Sequence, residues 1–140
     1  MDRRDRDLLD KQIRGGLPPR MRRRVHDYIT AHLDQKITNA ALAQIVGLST
    51  THLCKVFKQT EGMSPRWYVL QCRVQRAQQL LTSTRMSLAE IADAVGFSNQ
   101  SHCIQYFRKI VGVTPGDYRR RCLQRRDYSA FEVSQTSQQS

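Results

Sequence analysis

Apolar residues recur along this chain at helical spacing, i, i+3 and i+4, in blocks separated by single glycines and by Ser-Pro or Thr-Pro pairs. Met21, Val25, Tyr28, Ile29 and Leu33 form one such stripe and predict a helix from about Arg20 to Leu33. Leu42, Ile45 and Val46 predict a second helix, which ends at Gly47, and Leu53, Val56 and Phe57 predict a third. Trp67, Leu70, Val74, Ala77 and Leu81 line one side of a longer helix from Pro65 to about Leu81. The short pattern then returns as Leu88, Ile91, Ala92 and Val95, followed by Gly96 and by Cys103, Tyr106 and Phe107. The fold class is therefore all-α, with about seven helices.

The return is a true internal repeat of roughly 50 residues. Leu42-Ala-Gln-Ile-Val-Gly-Leu-Ser49 recurs as Ile91-Ala-Asp-Ala-Val-Gly-Phe-Ser98, and His52-Leu-Cys-Lys-Val-Phe-Lys58 as His102-Cys-Ile-Gln-Tyr-Phe-Arg108. Gly62-Met-Ser-Pro-Arg-Trp-Tyr68 recurs as Gly112-Val-Thr-Pro-Gly-Asp-Tyr118, and the second copy carries one extra residue near Asn99 or Gln100. Two copies are too few for a solenoid, so the pattern reads as a duplicated supersecondary unit. Gly47 and Gly96 stand where a left-handed residue ends one helix, and Ser49 and Ser98 follow as N-caps of the next. Short helix, glycine turn, second helix is the helix-turn-helix pattern. Ser87-Leu-Ala-Glu90 supplies a capping box for the second unit, and Ser64-Pro65 and Thr114-Pro115 each open a further helix.

Boundaries follow from these signals. Residues 1–19, ending in Gly15-Gly-Leu-Pro-Pro19, read as a flexible tail or linker. The first helix-turn-helix subdomain spans 20–63, a long linker helix 64–82, and the second subdomain 83–121. Residues 122–140, rich in Ser and Gln toward the end, read as a disordered tail.

Charge narrows the partner. Among 140 residues, 23 Lys+Arg oppose 12 Asp+Glu, a formal net charge of +11 that points to a polyanion, with nucleic acid ahead of an anionic membrane surface. No stretch approaches the roughly 20 apolar residues of a spanning helix, and Met1-Asp-Arg-Arg-Asp-Arg6 lacks the apolar core of a signal peptide. The expectation is a cytoplasmic, nucleoid-associated protein. Cys54, Cys72, Cys103 and Cys122 show neither paired spacing nor scaffold clustering, so reduced thiols are expected and no metal is assigned. The phosphate-loop, zinc-protease and nucleophile-elbow motifs are absent, so no enzyme and no cofactor is expected.

A major groove of B-DNA admits one α-helix, and successive grooves on one face lie roughly 34 Å apart. A linker helix of roughly 25 Å plus helix radii matches that spacing. The second helix of each unit is the one expected in the groove, N-terminal residues nearest the bases. In the first unit Leu53, Val56 and Phe57 face the core, which leaves Thr50, Thr51, Cys54, Lys55 and Lys58 outside. Lys55 can donate to guanine or to a phosphate, and the two threonines can bond bases or phosphates or pack on a thymine methyl. In the second unit Asn99, Gln100, Ser101, His102 and Gln105 face outward, a glutamine being able to hold adenine through N6 and N7; Arg108 and Lys109 suit phosphates. His52 and His102 occupy equivalent places, with base reading and structural contact both open.

Leu88-Ala-Glu-Ile-Ala-Asp-Ala-Val-Gly-Phe-Ser-Asn-Gln-Ser-His102 and Gly112-Val-Thr-Pro-Gly-Asp-Tyr-Arg119 resemble the signature of the AraC/XylS family of bacterial transcriptional regulators. The resemblance runs from about Gly16 to Arg121 and implies two helix-turn-helix units on seven helices. It implies DNA contacts at Thr50, Thr51 and Lys55, and at Gln100, Ser101, His102 and Gln105. Cys103 stands where the family usually has a large apolar residue, and Gln105 where arginine is common, which shifts specificity toward the first unit. The resemblance further implies a sequence-specific regulator of promoter DNA, an activator working with RNA polymerase, monomeric as this chain.

Overall fold

The computed structural model describes residues 16–125; of the tails expected over 1–19 and 122–140, residues 1–15 and 126–140 lie outside them. Seven helices and no strand occur among the described residues: α1 (Pro19–Ala31), α2 (Asn39–Val46), α3 (Thr50–Glu61), α4 (Pro65–Ser83), α5 (Leu88–Val95), α6 (Gln100–Val111) and α7 (residues 115–125). The chain divides within α4, after Cys72, into two compact units.

In the first unit α1, α2, α3 and the start of α4 enclose a core of Val25, Ile29, Leu42, Ala43, Val46, Leu53, Val56, Phe57 and Val69. Burying each of the larger side chains contributes roughly 1.5–3 kcal/mol. The predicted stripes supply nearly all of these residues. Three differences arise at the edges. Gly16 and Leu17, placed by composition in the flexible tail, are buried, and the Leu17 amide donates to Thr60 Oγ1 at 2.7 Å. Helix α1 starts at Pro19 and closes at Ala31, where the His32 amide bonds the carbonyls of Tyr28 and Ile29; Leu33 lies beyond the helix yet packs on the core. Helix α2 starts at Asn39 because Thr38 caps it, the Ala41 amide donating to Thr38 Oγ1 at 3.1 Å.

The long helix serves two cores, so its stripe is not single. Val69, with Tyr68 and Cys72 partly buried, joins the first unit. Val74, Ala77 and Leu81 are buried in the second unit, as are Ile91, Ala92, Val95, Phe97, Cys103 and Phe107. Trp67 and Leu70, on the predicted stripe, are only half-buried. Helix α7 runs to residue 125, past the boundary expected at 122.

The duplication extends to packing. Phe57 and Tyr68 meet edge to face at 5.5 Å and 76°, and Phe107 and Tyr118 at 5.5 Å and 70°. Each pair locks a second helix-turn-helix helix to the helix after it.

Candidate nucleic-acid interface

In each unit a glycine makes the turn. Gly47 (φ 70°, ψ 27°) and Gly96 (φ 96°, ψ 15°) are left-handed, which costs a residue with a Cβ on the order of 1 kcal/mol or more. The Leu48 amide bonds Ala43 O at 3.0 Å, and the Phe97 amide bonds Ala92 O at 2.9 Å, so both turns satisfy the same orphan carbonyl. Helices α2 and α3 are bent by 85° across the turn. A side-chain capping box at Ser87 and Glu90 fixes the start of α5.

Helix α3 opens at its expected cap, the His52 amide donating to Ser49 Oγ at 3.2 Å. Thr50, Thr51, Lys55 and Lys58 are exposed on its outer side, Cys54 is half-buried, and Leu53, Val56 and Phe57 are turned inward. Helix α6 corrects the expectation for the second unit. Its N-cap is Asn99, whose Oδ1 accepts from the His102 amide at 2.9 Å, and not Ser98. The extra residue of the second copy lengthens the turn by one and leaves both helices in equal register from cap to core. Asn99 is exposed, but its carboxamide oxygen is occupied by the cap. Gln100, Ser101, His102, Gln105 and Arg108 are exposed.

No acidic residue stands in the first turn of α3 or α6, which leaves the positive end of each helix open to an anion. Lys58 sits in the last turn of α3, and Arg108 and Lys109 in that of α6, where their charge also complements the carbonyl end of the helix. The two histidines differ despite their equivalent places. His52 is half-buried, whereas His102 is exposed and meets Tyr106 edge-on at 6.4 Å.

A polar network at the far end of α3 escaped the sequence reading. Glu61 Oε1 lies 2.7 Å from both Arg22 Nε and His26 Nε2, and Tyr68 Oη lies 2.9 Å from His26 Nδ1. Burial pushes Glu61 upward, but hydrogen bonds and charge from Arg22 and His26 hold it below the ordinary carboxylate value. Burial pushes the Tyr68 hydroxyl and the Cys72 thiol up, so neither ionises near neutral pH. The network ties α1 and α4 to the last residue of the outward-facing helix. In the second unit Arg119 plays a comparable part, its Nε donating to Leu81 O at 3.0 Å and its guanidinium also reaching Thr84 O at the end of α4. No periodicity announces such contacts, since the partners are 35–42 residues apart.

The four cysteines are free thiols. Among the described residues no group of three or more His, Cys, Asp or Glu could hold a metal ion, and no single helix is long and apolar enough to cross a membrane.

A helix-turn-helix domain family matches residues 42–121. The chain is 33% identical over 126 residues to the arabinose operon regulatory protein of Escherichia coli K12, an alignment covering 87% of this chain and 43% of that protein. The chain spans less than half the length of the curated relatives it matches. Among solved structures it is similar to an AraC-type DNA-binding transcriptional regulator from Chromobacterium violaceum, at 30% identity and TM-score 0.71, over 75% of this chain and 94% of that one. It is also similar to the DNA-binding domain of the global transcriptional factor AdpA in complex with a target DNA, at 27% identity and TM-score 0.70, over 74% of this chain and 93% of that one.

Proposed function

Because the chain belongs to the AraC/XylS family of helix-turn-helix transcriptional regulators, we propose that it binds promoter DNA by seating α3 and α6 in successive major grooves. The observation that carries this reading is the matched pair of outward faces over the first two turns of α3 and α6. Thr50, Thr51 and Lys55 on one, and Gln100, Ser101, His102 and Gln105 on the other, are exposed, while the opposite side of each helix is built into a core. Hydroxyls, carboxamides and one ammonium are the groups that read base edges. Lys58 and Arg108, one helical turn or more further on, suit phosphates. Asn99 supports the reading indirectly, by holding α6 at its cap.

The matched family is one of DNA-binding regulators rather than enzymes, although one relative, from Bacillus subtilis, is named as both a transcriptional activator and a DNA repair enzyme. Activation through RNA polymerase, action as a monomer and a cytoplasmic location on the nucleoid complete the proposal.

Alanine at Lys55 and at Gln105, each assayed against every single-base variant of a preferred duplex, tests it. Each substitution costs about 1–3 kcal/mol and relaxes preference within its own part of the site only. Equal weakening on every sequence would assign these side chains to the phosphate backbone instead.

A further inference from the structure

Four arginines cluster in the first two turns of α1, and the structure divides them. Arg22 is taken up by Glu61. Arg20, Arg23 and Arg24 are exposed and have no hydrogen bond or ion pair with any described residue. With Pro19 and Asp27 they make up one open patch on the outer side of the helix.

At about 100° per residue, Arg20, Arg23, Arg24 and Asp27 fall within one arc of roughly 100°, centred opposite Val25 and Ile29. Those two residues are fully buried and mark the core side of α1, and Arg22 lies on the same side as they do. The arginine face is therefore turned away from α3 as well as from the core. Duplex DNA held on the outer side of α3 does not lie in that direction, so the phosphates of the bound site are not its natural partner. Three guanidiniums at i, i+3 and i+4 match carboxylates presented at the same spacing, each able to take two parallel hydrogen bonds.

We propose that this face of α1 docks an acidic helical surface of a partner protein, with Arg20, Arg23 and Arg24 gripping its carboxylates. Asp27, in the middle of the arc, sets the register by repelling a carboxylate placed opposite it. The inference deepens the regulatory reading, since it gives the regulator a protein-facing surface separate from its DNA-facing one.

The test uses the whole chain and a synthetic alanine-based helix of about twenty residues with glutamates at i, i+3 and i+4 spacing. Fluorescence anisotropy at physiological salt compares wild type, Arg20→Gln/Arg23→Gln/Arg24→Gln, and the charge-matched control Arg76→Gln/Arg85→Gln/Arg121→Gln. Affinity for the peptide falls at least tenfold in the α1 variant and little in the control, while Asp27→Asn binds more tightly than wild type. Equal effects of the two triple variants, including no binding by any protein, overturn the proposal. The same proteins are titrated with a preferred DNA duplex at several salt concentrations. A log-log salt slope unchanged by the α1 variant agrees with a protein-facing surface. A slope shallower by about 0.9 for each arginine lost reassigns the face to DNA phosphates. Failure of wild type to prefer any duplex would strike the DNA-binding reading and leave the peptide comparison decisive for this one.

Discussion

The hydroxyl of Tyr68 lies 2.9 Å from Nδ1 of His26, and the two rings meet at a centroid distance of 4.8 Å, tilted by 42°. His26 passes the connection on to Glu61, the last residue of α3, so the C-terminal end of that helix is set by side chains from α1 and α4. Glu61→Gln removes the charge while keeping the shape. It destabilises the protein by about 1–2 kcal/mol at neutral pH, since two charge-assisted hydrogen bonds are weakened and one of them is half-exposed.

That deficit depends on pH. A carboxylate held below its ordinary value stabilises the fold above that value and loses the contribution as pH falls through its folded value. Wild type and Glu61→Gln therefore differ most at pH 7 and converge as pH falls below the ordinary 4.5, which urea melts at pH 7 and pH 3 compare directly.

Asn99 and Ser98 give opposite results to the same substitution. Asn99→Ala removes the α6 cap and lowers stability by about 1 kcal/mol. Ser98→Ala, beside it and exposed, changes stability little. Thermal melts of the two variants decide between the caps.

Gly96 holds φ at 96°, further from the ordinary left-handed basin than Gly47 at 70°. Gly96→Ala is the more costly of the two alanine substitutions, each on the order of 1–2 kcal/mol. Chemical denaturation of both variants measures the difference.

Most of the fold was legible because its code is local. Heptad-like spacing, the glycines at 47 and 96, and the Ser87–Glu90 box each act within a few residues, and the helices lie where they indicate. Ser98 misled because both Ser and Asn cap well, and only the length of the turn, fixed by where Phe97 is buried, decides between them. Leu17 was misplaced for a related reason. Its Gly and Pro neighbours signal a breaker, yet a breaker can also be pinned, here by Thr60. The faces of α3 and α6 could be read from periodicity, whereas the Glu61 network and the Arg119 contacts could not, since they join residues distant in sequence.

Cys103 is fully buried, and burial pushes its thiol up to about 11. In the native protein near pH 8 it resists alkylation, because the reactive thiolate is scarce and shielded. The half-buried Cys54 and Cys122 modify before Cys103, which reacts only in denaturant. Mass spectrometry of iodoacetamide-treated protein, with and without urea, records the order.

The central claim is that two outward-facing helices read sequence together. Selection from a random duplex pool at physiological salt, followed by affinity measurement on the winner and a scrambled control, tests it most directly. The account predicts two separated elements about one helical turn apart and a preference of at least roughly a thousandfold. No enriched element, with equal affinity for winner and control and a steep salt dependence, would contradict it and leave only a non-specific grip on phosphate.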